Sequence, residues 1–487
     1  MTTRATIVGV TASIVGFLAF VEFTSGVLQG FYTPMLTDIA RHLNVPDADV
    51  NWLEGTQLML SALVVPAFAK LGDMVGHKRM LLISTALTAV ASLALPFCDS
   101  FVPFLIAWAL QGFYVVWLPM EIALLYSRAR SQPEPGRVTA RAAGMLVAAL
   151  EAGAISGALA GGALSDALPL RTVLFIPGIL VVLCFFVILF GVRESPNPTG
   201  GRLDTGGLIL ISLALIAFTG GLSLLRINGA GSLVAWLVAL LGVALLIPFV
   251  RWELRQRDPL IDVRMFRSPA LGPVFVTAGL FGVSVLGAQA PMSTFARTDP
   301  SDYGYGLGTT GFATSLLIGV YLIAMICGAL LFPVLSRMSS PRWMLFAAAC
   351  AVGLGFFLFV PFHTTYLQVV VNMVVAGIGS GALVAALPAA AAAAAPAAQT
   401  GVATGLTNSV KTVGGAIASC VFGVALLHGT TGAAATGGTA GSFSGYLTVW
   451  IVCGATAAAA AVFLLTLPEH AFRDPATAPA DAASGRV

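Results

Sequence analysis

The chain divides into fourteen apolar runs, each long enough to cross a lipid bilayer, and few folds can accommodate that pattern. A membrane-spanning helix needs about 20 mostly apolar residues. Runs meeting this rule begin near Val8, Trp52, Met80, Phe101, Ala142, Thr172, Gly206, Leu233, Ala270, Thr309, Met344, Leu367, Gly401 and Tyr446. Turn formers and charges separate them, as in CDS at 98–100 and RESPNPTGGRLD at 193–204. With 58% hydrophobic and 9% charged residues in 487, this surface cannot be hidden in a soluble core, since single cores stop growing near about 250–300 residues. Backbone polar groups in lipid must be satisfied within the segment, so runs of this length are helices. The predicted fold is an all-α integral membrane protein with fourteen transmembrane helices.

Two central runs sit between a block of six and a second block of six. The predicted organisation is an N-terminal six-helix bundle over 1–195, two additional linker helices over 196–258, and a C-terminal six-helix bundle over 259–470. A tail at 471–487, rich in Ala, Pro and Asp, reads as disordered and cytoplasmic. HGTTGAAATGGTAGSFSG at 428–445 reads as a flexible outer loop, and ALVAALPAAAAAAAPAAQTG at 382–401 as a helix end with a short loop.

Charge placement tests the count. Cytoplasmic loops carry an excess of Lys and Arg. With the amino terminus inside, 19 of the 24 basic residues fall on inside segments. Only Arg41, Arg171, Arg226 and Arg297 fall outside, and Lys411 lies within a run. A miscount by one helix would scramble this alternation, so both termini are expected to be cytoplasmic. Arginine far outnumbers lysine and the helices are rich in Ala, which suits a multi-pass protein of a bacterial cytoplasmic (inner) membrane.

The net charge of +3 and the lack of a basic block argue against nucleic acid as a partner. The six cysteines are scattered singly, with no metal-site spacing, and read as packing residues. No G-x-x-x-x-G-K-[ST] loop is present, so ATP-driven work is not expected and the chain does not read as an enzyme. The first apolar run flows into the rest of the fold, so no cleaved leader is expected. The partner that composition itself implies is the lipid bilayer, and the chain is expected to be a monomer.

AKLGDMVGHKRM at 69–80 follows the second run. Gly72 and Gly76 allow a tight turn, Asp73 sits at a helix end, and Lys78 and Arg79 follow on the basic side. The plainer reading is an ordinary basic loop. The pattern resembles the G-x-L-x-D-x-x-G-x-K/R signature between helices two and three of the major facilitator superfamily, with Ala69 replacing the first glycine. In that resemblance Asp73 is implied to pair with a cation or a helix amino terminus and latch the inward side closed. EAGAISGALAGGAL at 151–164 resembles the glycine-rich antiporter signature at Gly153, Gly157, Gly161 and Gly162, with Ala158 in place of proline. Small residues spaced by four let helix backbones approach closely, which explains the glycines as packing, with a gating contact as the sharper alternative.

RLDTGGLIL at 202–210, PLIDVRMFR at 259–267 and TGVATGLTNSVKTVGGAIAS at 400–419 look like segments of the fourteen-helix drug:proton antiporter family. The resemblance implies two six-helix bundles around a central cavity, working by alternating access. Two departures stand out. The family's first-helix aspartate position, nine residues before Pro34, holds Ser25, with Glu22 one turn earlier. The family's fourth-helix arginine position, three residues before Gln111–Gly112, holds Trp108, which puts the usual proton coupling in doubt.

Three carboxylates lie well inside runs: Glu22, Glu121 and Glu151. Glu54 is near the outer end of its run, where it can be wet. An ionised group at the bilayer centre costs at least about 2.5–3.5 kcal/mol on insertion scales, so such residues commonly face a cavity and act. Together with Lys411, the one cation inside a run, they are the candidate proton and substrate coupling residues. Glu121 shares a helical face with Trp117 and Tyr114, a mixture suited to amphipathic or cationic ligands. The alternative is that these rings pack between helices. The candidate cavity set is Ser25, Gln29, Gln57, Trp108, Gln111, Tyr114, Trp117 and Asn408.

The function the resemblance implies is a secondary active transporter that exports hydrophobic or amphipathic, cationic small molecules by proton antiport. It implies a small-molecule substrate and protons as partners, and no cofactor beyond a proton gradient as energy source. A facilitator or dedicated metabolite exporter without standard antiport is the alternative. A non-transporting membrane sensor is a third reading, and the lack of a large soluble domain counts against it.

Overall fold

A computed structural model describes residues 2–129, 135–194, 204–229, 231–256, 259–395, 400–427 and 440–465. The expected tail at 471–487, most of the outer loop and the junctions near 195 and 258 lie outside these residues. The described chain is helical throughout its long elements. Fourteen helical segments are long and apolar enough to cross a membrane. The first six run Ile14–His42, Asp47–Val75, His77–Phe97, Phe101–Arg128, Arg141–Ala167 and Leu170–Gly191. The central pair runs Thr205–Leu225 and Leu233–Glu253. The last six run Gly272–Arg297, Gly311–Ser336, Pro341–Leu358, Tyr366–Ala394, Val402–Leu427 and Phe443–Leu465. Each begins within a few residues of its predicted start.

Three spans are broken where the sequence forbids a continuous helix. The first yields at Phe31 to a short 3₁₀ turn at Thr33–Met35, then a helix at Leu36–His42. The fourth is a helix to Gln111, a 3₁₀ stretch over Gly112–Val116, then a helix from Trp117. Pro119 has no N–H for the carbonyl of Val115, and the Gly112 carbonyl accepts the Ser61 hydroxyl at 3.1 Å. The ninth contains a π-type turn at Val283–Gly287 just before Pro291, which leaves the Gly287 carbonyl without its helical donor.

Two separate apolar cores form. One gathers residues between Ile14 and Val192, with Ala290 as its one distant member. The other gathers residues from Met265 to Leu464, with Ala48 as its distant member. Within each, two spans approach at backbone distance through glycines. Gly26 and Gly30 of the first span interleave with Gly153, Gly157 and Gly161 of the fifth. Gly282 of the ninth span meets Gly415 and the Lys411 carbonyl of the thirteenth. A methyl group at most of these positions would overlap the facing backbone, so the same device recurs in both halves. The central helical pair packs Leu222, Leu225 and Ala235 around Trp52 of the second span and Cys420 of the thirteenth. Leu215 extends that contact to Met59 and Ala416. Large apolar side chains such as Phe190, Leu330 and Leu367 point outward, as lipid-facing residues do.

Candidate functional site

Glu22 and Glu121 face one another inside the first bundle, fully buried, close enough to interact though short of good hydrogen-bond geometry. The first span brings Glu22. The helix that restarts at Trp117 brings Glu121, and the break in the fourth span sets its direction. Neither carboxyl finds a hydrogen-bond donor elsewhere among the described residues. Cys184 of the sixth span and Tyr114 lie within electrostatic reach of the pair.

Glu151 and Lys411 face each other across the two bundles, both half-buried. Glu151 lies ten residues into the fifth span and Lys411 nine into the thirteenth. At 1.5 Å per residue both are about 14–15 Å from the face that carries the amino terminus. This places one negative and one positive charge on opposite walls at the same depth. Gln29, in the middle of the first span, and Asn408, in the first third of the thirteenth, are exposed. Ser25, one helical turn before Gln29, is buried, and Gln57 donates to the Trp108 carbonyl at 3.4 Å.

The aromatic face expected to line a cavity does not do so in this state. Trp108 and Trp117 are among the largest fully buried side chains, and Tyr114 belongs to the same core. Trp108 lies 4.9 Å from Tyr32 and 5.9 Å from Phe104, ring centroid to ring centroid. Gln111 donates to the Tyr32 hydroxyl at 2.9 Å and to Ser92 at 2.8 Å, as a buried link between three spans. The physical reason is the break at Gly112–Val116, which interrupts the regular helical face joining these residues.

The glycine series divides. Gly153, Gly157 and Gly161 pack on the first span within the bundle, whereas Gly162 packs on Gly311 and Ser315 of the other bundle. The basic loop is also internal to its bundle. Gly72 packs on Met120, and Gly76 ends its helix at φ +118°, a conformation that favours glycine. Asp73 pairs with His77 at 3.2 Å rather than with the opposite bundle. The backbone N–H groups of Lys78 and Arg79 donate to Glu194 at 3.0 and 3.1 Å. The carboxylate of Glu194 thus occupies the amino end of the third span, the place expected of Asp73.

The opposite face is closed by contacts that the sequence reading missed. Arg297 Nη2 donates to both carboxylate oxygens of Asp38, at 2.7 and 2.9 Å. Asp166, at the end of the fifth span, accepts from the backbone N–H groups of Gly311 and Phe312, both at 2.8 Å. Ser293 donates to the Thr33 carbonyl. One signal could have pointed here, because Arg297 is among the few cations on the side that otherwise lacks them. On the adjoining loop, the Ser301 hydroxyl and amide hold the Asp299 carboxyl below its ordinary range.

The overall arrangement of these helices is similar to that of solved transporters. The fold matches the nucleoside transporter NupG with a TM-score of 0.66 at 13% identity, over 94% of this chain and 100% of that one. It matches an auto-inhibited peptide transporter of the POT family with a TM-score of 0.67 at 16% identity, over 94% and 96%. In sequence the chain is 28% identical over 244 residues to the drug efflux pump JefA of Mycobacterium tuberculosis, covering 50% of this chain and 47% of that protein. It is 26% identical over 253 residues to the tetracenomycin C resistance and export protein of Streptomyces glaucescens, covering 51% and 46%. The matched segment thus spans about half the length of these relatives. The family model of the Major Facilitator Superfamily matches residues 18–419. This multi-pass membrane protein belongs to the major facilitator superfamily.

Proposed function

We propose that the chain exports hydrophobic or amphipathic cationic molecules in exchange for protons, by alternating access. The observation that carries this reading is the facing pair Glu22 and Glu121, buried with no cation against it among its described neighbours. Two carboxyls brought together in a low-dielectric interior cannot both stay ionised cheaply, so the pair is built to hold a proton. Glu151 offers a cationic substrate a counter-charge between the bundles, with Lys411 within electrostatic reach of it as a competing cation. Closure of the face carrying Arg297 fits a state open toward the cytoplasm. On this orientation both termini lie in the cytoplasm, and an acidic exterior drives export. Efflux pumps among the curated relatives support the substrate class.

The test is transport in proteoliposomes under an imposed pH gradient, with Glu22→Gln and Glu121→Gln. Gradient-driven flux should fall about tenfold or more in either variant, against a barrier change of about 1.4 kcal/mol per decade. Flux indifferent to the gradient, or unchanged in both variants, would discard proton antiport.

A second reading keeps the fold and narrows the substrate. A uridine/deoxyuridine transporter of Lactococcus lactis is 23% identical over 292 residues, and Trp108 stands where drug:proton antiporters carry arginine. A dedicated polar metabolite, moved without response to uncouplers, is the outcome that favours it.

A further inference from the structure

Four arginines gather on the face that carries the amino terminus, where the eighth span leads into the ninth. Arg251 lies in the last turn of the eighth span and Arg255 one turn later, just past its end. Arg264 and Arg267 lie on the 3₁₀ turn Val263–Arg267. Residues three apart on such a turn eclipse one another, so these two share a face. All four are exposed, and none has a carboxylate at ion-pair distance among the described residues.

The fold holds these charges together. Arg264 Nη2 donates to the Leu254 carbonyl at 2.8 Å, which brings the 3₁₀ turn back to the residue before Arg255. The Ile261 N–H donates to Glu253 at 3.3 Å, and the Asp262 carboxylate accepts from the Arg264 N–H at 3.1 Å. Asp204 accepts from the Gly207 N–H and from the Trp252 indole, both at 2.9 Å. The three acids of this junction are thus turned onto backbone and indole donors rather than onto guanidiniums.

Two aromatic rings flank the charges. Trp252 is 42% exposed and Phe266 41% exposed. Phe266 also packs on Phe275 of the ninth span, with ring centroids 4.9 Å apart. Rings at span ends sit at the level where acyl chains meet headgroups.

We propose that this junction binds the headgroup phosphate of an anionic phospholipid, with Trp252 and Phe266 against its acyl chains. Guanidiniums pair bidentately with phosphate oxygens, and each basic side chain near an anionic surface adds to binding. The exposed rings favour lipid over free phosphate, which has no apolar part for them to cover. The chain between the two arginine pairs joins the central helices to the second bundle, so a lipid held by both pairs braces that joint. The site needs only the membrane fold and does not rest on the proton-coupling proposal.

Native mass spectrometry of the full-length protein in neutral detergent, titrated with phosphatidylglycerol or phosphatidylcholine, tests this. Phosphatidylglycerol should bind about tenfold or more tightly than phosphatidylcholine. Arg255→Gln with Arg267→Gln removes two side chains that have no partner in the protein, and should weaken phosphatidylglycerol binding about thirtyfold. Arg141→Gln with Arg193→Gln removes the same charge elsewhere on that face, and should change it by less than about twofold. Glycerol 3-phosphate, which carries the anion without acyl chains, should not displace the lipid. Equal affinity for the two lipids, no greater loss in the first double variant than in the second, or displacement by glycerol 3-phosphate would overturn the proposal.

Discussion

Arg297 reaches across from the second bundle to hold both carboxylate oxygens of Asp38, 259 positions earlier in the chain, at 2.7 and 2.9 Å. The pair joins the short helix after Pro34 to the end of the ninth span, so it exists only when the two outer ends are together.

Removing one partner should therefore change conformation more than fold. Asp38→Asn or Arg297→Gln is expected to shift the population toward the outward-open form. A partly exposed ion pair is worth about 1 kcal/mol, or roughly a fivefold change in the ratio of the two states. Distances between spin labels on the outer ends of the fifth and tenth spans read this directly. The exchanged pair Asp38→Arg with Arg297→Asp should recover part of the closed population.

The glycines of the fifth span should separate into two behaviours. Gly157→Val pushes into the Val27 backbone within one bundle and should lower thermal stability by about 1–3 kcal/mol. Gly162→Ala meets the Gly311 carbonyl of the other bundle, so it should leave unfolding nearly unchanged and open the outer face. Unfolding curves and outer-face labelling, run on both variants, distinguish the two effects.

Gln111 should behave as a core residue. Gln111→Leu strands the Tyr32 and Ser92 hydroxyls and should cost about 1–3 kcal/mol of stability. The pattern of transported compounds should stay as in wild type. A changed substrate pattern with unchanged stability would return Gln111 to the cavity wall.

Glu151 and Lys411 should act with opposite sign on substrate charge. Glu151→Gln is expected to raise KM for cations by about tenfold, the cost of one partly desolvated charge contact. Lys411→Gln frees Glu151 and should lower KM for the same compounds. Parallel measurements with a neutral substrate of similar size should show little change in either variant.

Much of the architecture was legible because lipid imposes a length and an apolar character on every span, and loop arginines give the alternation a second reading. Glu22, Glu121, Glu151 and Lys411 stood out for the same reason, as charges where lipid forbids them. The break in the fourth span was harder to see. Pro119 and Gly112 were visible, but a proline in an apolar run does not say how far the following helix rotates. A helical wheel drawn through Tyr114 and Trp117 therefore assumed a continuous helix that ends at Gln111. The role of Glu194 and the meeting of Asp38 with Arg297 depend on contacts between residues far apart in sequence. Helical periodicity carries no information about such pairs.

The seventh and eighth spans make the two sides of the molecule unequal. On the proposed alternating-access cycle, two bundles that move against each other have two lateral seams facing lipid. One runs between the second and thirteenth spans, and Leu215, Leu222 and Leu225 roof it over Trp52, Met59, Ala416 and Cys420. The other runs between the fifth and tenth spans, which touch near their outer ends at Gly162 and Gly311. On the proposed export cycle, this seam, which the central pair does not cover, is the side on which a hydrophobic molecule from the inner leaflet would approach the centre. Glu151 lies on the helix that borders it.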